Sequence, residues 1–145
     1  MKLKNKKSGF TLLEIIIVII IVGVLASLAL PRMFNTIEYA RSTEALNAIG
    51  VLKRGADQCA MAVEATTGVA DQYGSCDSFA EIGIDDPGTQ ASSVFTYAIA
   101  FASPNWSVVA TRVGGAAAGD TITFSYNVTN GATTRVGTGA YSALK

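Results

Sequence analysis

Apolar residues follow three rhythms along this 145-residue chain, and each rhythm predicts a different element. From Phe10 to Leu30 the run is interrupted only by Thr11, Glu14, Gly23 and Ser27, and Glu14 is its one formal charge. As a helix, about 1.5 Å per residue over that run gives roughly 30 Å, the thickness of a bilayer's hydrocarbon core. A membrane-spanning helix is therefore expected. Beyond Pro31 the spacing changes. Ile37, Ala40, Ala45, Ala48, Leu52, Ala56, Cys59 and Val63 recur mostly at intervals of three or four, with Glu38, Arg41, Glu44, Lys53, Arg54 and Asp57 on the other faces. The two stretches predict one helix from about Thr11 to about Glu64, roughly 80 Å long. Pro31 lacks the donor for the Ser27 carbonyl and crowds that turn, so a continuous but bent helix is expected, weakened upstream by Gly23.

From Ser93 the period drops to two. Phe95, Tyr97, Ile99 and Phe101 share one face of a strand, and Ile122, Phe124, Tyr126 and Val128 alternate with polar residues in another. Trp106 to Val113 reads as a strand joined to the first through Ser103-Pro104-Asn105, and Asn130-Gly131 signals a hairpin into a short strand near Thr133 to Val136. The fold class is α+β: a long N-terminal helix whose amphipathic half covers an antiparallel sheet of three to four strands. Between helix and sheet, Ala65 to Gln90 reads as a loop with a helical turn around Ser78 to Ile82. Asp85-Asp86-Pro87-Gly88 reads as a turn, calcium binding being the weaker alternative because a closing glutamate and alternating oxygen ligands are missing.

Composition adds a compartment and removes most chemistry. With 50% hydrophobic and 15% charged residues, the chain suits one compact head plus an anchor. Lys2, Lys4, Lys6 and Lys7 precede Ser8 and Gly9, so the small residues come before the apolar run, the reverse of an ordinary secretory signal. Cleavage after Gly9 would leave the helix on the product, with 7 basic against 11 acidic residues and a net charge of −4. That balance argues against a nucleic-acid partner. The lysines hold the N-terminus in the cytoplasm and place the head across the membrane. In an oxidising compartment Cys59 and Cys76 can pair in only one way, a bridge worth on the order of 3 kcal/mol, with two free thiols as the alternative. A metal site is poorly supported, there being no histidine and no Cys-x-x-Cys. No Gly-x-Ser-x-Gly elbow or acid–base constellation is present, so neither an enzyme nor a cofactor is expected. Glu14 stands out, because a carboxylate inside a span costs about 2.5 to 3.5 kcal/mol on insertion scales. It either lies shallow among lipid headgroups or meets a partner, one candidate being the amine that cleavage would create on Phe10, about one turn away.

The string Lys7-Ser8-Gly9-Phe10-Thr11-Leu12-Leu13-Glu14, followed by the apolar run to Pro31, resembles the class III signal of type IV pilins and pseudopilins. The motif is specific, though it covers only the first fifth of the chain. The resemblance implies that a prepilin peptidase cuts between Gly9 and Phe10 and methylates the Phe10 amine, giving N-methylphenylalanine. It further implies that Glu14 pairs with the Phe10 amine of a neighbouring subunit during assembly, and that the segment around Gly23 and Pro31, Val22 to Pro31, melts in the polymer. The expected division is a leader at 1–9, a transmembrane and assembly helix at 10–31, and a globular head at 32–145. Expected partners are copies of the chain in a helical homopolymer, the peptidase, the inner-membrane assembly machinery and the membrane itself. The expected location is the inner membrane, single-pass, then an extracellular filament. A type IV pilus subunit is the leading reading; a type II secretion pseudopilin and a non-polymerising membrane-tethered binding module are its rivals. In one respect the sequence departs from many pilins: Cys59 and Cys76 lie far from the carboxyl end, which puts the usual C-terminal surface loop in doubt.

Overall fold

A computed structural model describes residues 10–68 and 72–144. Residues 1–9, the expected leader with Gly9, lie outside the described residues, as do residues 69–71 of the expected loop. Helix α1 runs without interruption from Leu12 to Thr67, through Pro31. It ends three residues beyond the expected Glu64. The Thr66 and Thr67 hydroxyls donate back to the carbonyls of Ala62 and Val63, and Gly68, at φ 69°, donates its N–H to the Glu64 carbonyl. That left-handed residue stops the helix where glycine carries no steric penalty.

The chain divides into two compact units, one ending at Thr36 and the other beginning at Ile37. In the first, every described side chain is exposed. In the second, β1 (Phe95–Ala102), β2 (Asn105–Arg112), β3 (Thr121–Asn127) and β4 (Thr133–Gly137) form one antiparallel sheet in the order β1-β2-β3-β4. The expected meander is present with four strands. Ala102 pairs with Asn105 across a two-residue turn whose Ser103-Pro104 peptide is cis. Tyr126 pairs with Thr133 across a loop in which Gly131, at φ 69°, donates to the Asn127 carbonyl.

The register aligns Phe95, Tyr97, Ile99 and Phe101 with Arg112, Ala110, Val108 and Trp106, and these with Ile122, Phe124 and Tyr126 on β3. Alternation sends that set to one face, and Ala45, Ile49, Leu52, Ala56 and Ala60 of α1 join it in a single core. Trp106, Phe95, Leu52, Ile122 and Val108 are fully buried. Each such side chain contributes on the order of 1.5 to 3 kcal/mol. The small alanines let the helix lie close to the aromatic sheet. Gly55 serves the same end on the loop side, where an added Cβ would stand 2.4 Å from Ile84 Cδ1.

The buried face of α1 differs from the expected one at its start. Ile37 and Ala40 are exposed, whereas Glu38 and Ser42 are buried. The reason is a charged partner at that end of the head. Arg112, at the close of β2, is only 4% exposed. Its Nε donates to Glu38 Oε2 at 3.0 Å, and its other nitrogens donate to Glu38 Oε1 and to the carbonyls of Val94 and Val113. Tyr141 is fully buried and donates to Glu38 Oε2 at 2.9 Å, while Arg41 donates to Oε1 at 2.8 Å. Among the described residues no buried side-chain polar atom lacks a partner. A helix glutamate, a strand arginine and a C-terminal tyrosine thus close the base of the core.

Candidate assembly site

Thr11 starts the helix. Its carbonyl and hydroxyl both accept from the Glu14 N–H, at 3.1 and 3.3 Å, which places Glu14 at the third helical position of a Thr-x-x-Glu start. An acid there also suits the positive end of the helix dipole. From Leu12 onward the apolar side chains are exposed on all sides, and an 18-residue window within α1 has a mean hydropathy of 3.0 with none of it buried. Phe10 is 78% exposed. The chemistry of this segment is that of a surface requiring cover, first from lipid or from another protein. No nucleophile or acid–base pair accompanies it.

Residues 4–30 match the profile described as the prokaryotic N-terminal methylation motif. The type II secretion system core protein G of Escherichia coli is 44% identical over 57 residues, 39% of this chain and 39% of that protein. A probable minor fimbrial protein of Dichelobacter nodosus is 39% identical over 73 residues, covering 50% of this chain and 45% of the relative. The type IV major fimbrial protein FimA of the same organism is 30% identical over 59 residues, covering 41% and 38%. Over its N-terminal segment the chain is similar to type IV pilins and pseudopilins. The similarity spans less than half the length of each of these relatives.

Within this pilin-like chain the expected residues do not form one cluster. Phe10 lies two residues before α1 and Glu14 in its first turn, Gly23 and Pro31 sit within the helix, and an added Cβ at Gly23 would meet nothing within 4 Å. Cys59 and Cys76 form the disulfide, Cα to Cα 6.0 Å, joining α1 to the segment between the 3-10 turn Gln72–Ser75 and α2 (Phe79–Ile82). The buried Trp106 indole donates to the Cys76 carbonyl at 3.0 Å, so the bridge is locked into the core. The expected helical turn is present as α2; Ser78 caps it, and Glu81 Oε2 accepts from the Ser78 hydroxyl. Asp86 is used locally: its Oδ1 accepts from the Gly88 N–H at 2.8 Å and caps the 3-10 turn Pro87–Thr89.

Two polar clusters were not anticipated from sequence. One is Glu38–Arg112–Tyr141. Burial alone would raise the Glu38 pKa, but hydrogen bonds from Arg112 and Tyr141, with the charges of Arg112 and Arg41, outweigh it and hold the carboxyl below its ordinary value of 4.5. Burial and the bond to Glu38 push the Tyr141 phenol up to about 12. The other cluster joins α1 to β3 and to the 3-10 turn Gln72–Ser75. Lys53 pairs with Asp57, sits 3.8 Å from the centre of the Tyr126 ring, and shares Asp57 with the Tyr73 hydroxyl. Burial, then Asp57, raises the Tyr73 pKa. Both clusters tie α1 to the sheet side of the head. A sequence signal existed for the first: Trp106, Val108, Ala110 and Arg112 share one strand face, so an inward arginine demanded a buried acid.

Proposed function

We propose that the chain is a non-enzymatic structural subunit of a type IV pilus, polymerising through its N-terminal helix into a surface filament. The observation that carries this reading is the exposed apolar length of α1 beginning directly after a prepilin-type motif. Lipid covers that surface while the subunit waits in the inner membrane, with its head outside the cytoplasm. In the filament, copies of the same helix replace lipid. Cleavage after Gly9 and methylation of Phe10 prepare the start of the helix, Glu14 pairs with the Phe10 amine of a neighbour, and Val22 to Pro31 gives up helical structure as subunits pack. An unpaired carboxylate is costly in a dry core, so the pairing sets the register of each incoming subunit. Glu14→Ala is therefore expected to reduce filaments sheared from the cell surface at least about tenfold, with cleavage and membrane insertion unchanged. Normal filament yield from that variant refutes the assigned role.

A second reading is a type II secretion pseudopilin, favoured by the relatives named core protein G. Deleting the gene separates the two: loss of surface filaments supports the first, and loss of protein secretion with filaments intact supports the second. A tethered binding module would keep residues 1–9 and stay in the membrane fraction.

A further inference from the structure

The amphipathic half of α1 has two flanks of opposite chemistry. On one, a cleft of about 290 Å³ is lined chiefly by Leu46, Ile49, Gly50, Lys53, Phe124 and Arg135. Its walls are mostly apolar and its charged residues are cations. Lys53 is held by Asp57, whereas Arg135 is exposed and has no ion-pair partner among the described residues. On the other flank, the segment Phe79–Asp86 packs against α1 at Gly55, through Ile84. Its surface is a shallow depression of mixed polar and apolar lining whose charged residues, Asp85 and Asp86, are acids, beside exposed Glu81. Gly55 follows Gly50 by five residues, about 140° further round the helix, so the two surfaces lie on different sides of it.

Gly50 supplies a second observation. Glycine weakens a helix interior, and at Gly55 the close approach of Ile84 explains it. At Gly50 an added Cβ would meet nothing within 4 Å. The packing of the head gives no reason for glycine there, whereas the approach of another chain does.

We propose that these surfaces bind each other between successive copies of this chain: the acidic Phe79–Asp86 segment of one copy seats in the cationic cleft beside Gly50 of the next. The inference rests on the polymeric reading above and names the contact between heads within it. Because the two surfaces differ, the contact is heterologous and leaves each added copy with a free surface, as an open fibre requires. Charge complementarity fixes its direction, since cleft against cleft or acid against acid is repelled.

The test uses the full chain in cells. Ala80 and Thr133 are exposed uncharged residues of the two surfaces, and the native cysteines are already paired. A chain carrying both Ala80→Cys and Thr133→Cys, which keeps Asp85 and Arg135, is expected to give a ladder of multimers when treated with a short thiol-to-thiol crosslinker, while either change alone gives monomer. Arg135→Glu and Asp85→Arg are each expected to lower filament yield about tenfold, and combining them in one chain to restore most of it. Trp106 fluorescence melts of each variant show whether its head is folded. Wild-type filaments with no ladder from the double-cysteine chain overturn this contact while leaving the polymer intact, and so does efficient dimer formation by either single-cysteine chain. Absence of filaments from the wild type overturns both.

Discussion

Arg112→Met removes two of the four hydrogen bonds that Glu38 accepts and takes the Arg112 donors away from the Val94 and Val113 carbonyls. The carboxylate would stay in a site where its side chain is 10% exposed, with only Arg41, whose side chain is 39% exposed, left to balance its charge. Removing one partner of a buried pair costs about 3 to 5 kcal/mol, and the remaining Arg41 argues for the lower end. For a head of roughly this size, 1 kcal/mol moves Tm by about 4 °C or more, so a fall of at least about 12 °C is expected. Trp106 is the sole tryptophan and fully buried, which makes its fluorescence a probe of the head in the full mature chain held in detergent. Glu38→Leu combined with Arg112→Met replaces the pair by apolar groups and is expected to regain about half of the loss, since such swaps are often close to neutral. Acid dependence gives a further check. The folded pKa of Glu38 lies below its unfolded value, so its contribution is complete above about pH 4.5 and is lost as pH falls through the lowered value. Glu38→Gln should flatten that acid slope. An Arg112→Met melt within about 3 °C of wild type, or a double variant no more stable than the sum of the singles, refutes the argument.

Other consequences follow from the same structure. Tyr97, raised to about 12 by burial and then by Glu44 and Asp86, and Tyr141, raised to about 12, both stabilise the head in their protonated form. That contribution is complete below their ordinary value of 10.0 and is lost as pH rises towards 12; a near-ultraviolet tyrosine titration should show it, and Tyr141→Phe should remove part of the alkaline slope. Breaking the Cys59–Cys76 bridge, 17 residues apart, by Cys59→Ser with Cys76→Ser should cost about 3 kcal/mol in the same fluorescence melt. Gly50→Ala should stabilise the head by up to about 1 kcal/mol because its Cβ has room. Gly55→Ala should destabilise it, because Ile84 must move. Equal effects at the two glycines would contradict the packing described.

The sheet was legible because its residues keep a clean period of two: Phe95, Tyr97, Trp106, Val108 and Ile122 all face inward as the alternation demands. The helix was legible for the complementary reason, a long apolar run followed by a period near 3.6. At Glu38 and Ser42 that second rule failed. Periodicity assigns polar residues to solvent, and nothing local to α1 tells of an arginine 74 positions later or a tyrosine 103 positions later. The C-terminal stretch was equally silent, since a lone Tyr141 in a Gly- and Ser-containing tail carries no pattern. There Ala140 donates to Asp120 and Thr138 bonds Thr121, so pairing with the sheet rather than propensity fixes the turn Gly139–Tyr141. For the assembly segment, the string from Lys7 to Glu14 was informative from the start, while the structure adds the Thr11 cap and the complete exposure of the apolar surface.

The central claim is that one apolar helix passes from lipid into a polymer of identical chains. Mass spectrometry of filaments sheared from the cell surface tests it most directly. The account predicts this polypeptide in the filament fraction, beginning at Phe10 with one added methyl group on its amine. Finding it only in the membrane fraction, with residues 1–9 still attached, would contradict the account.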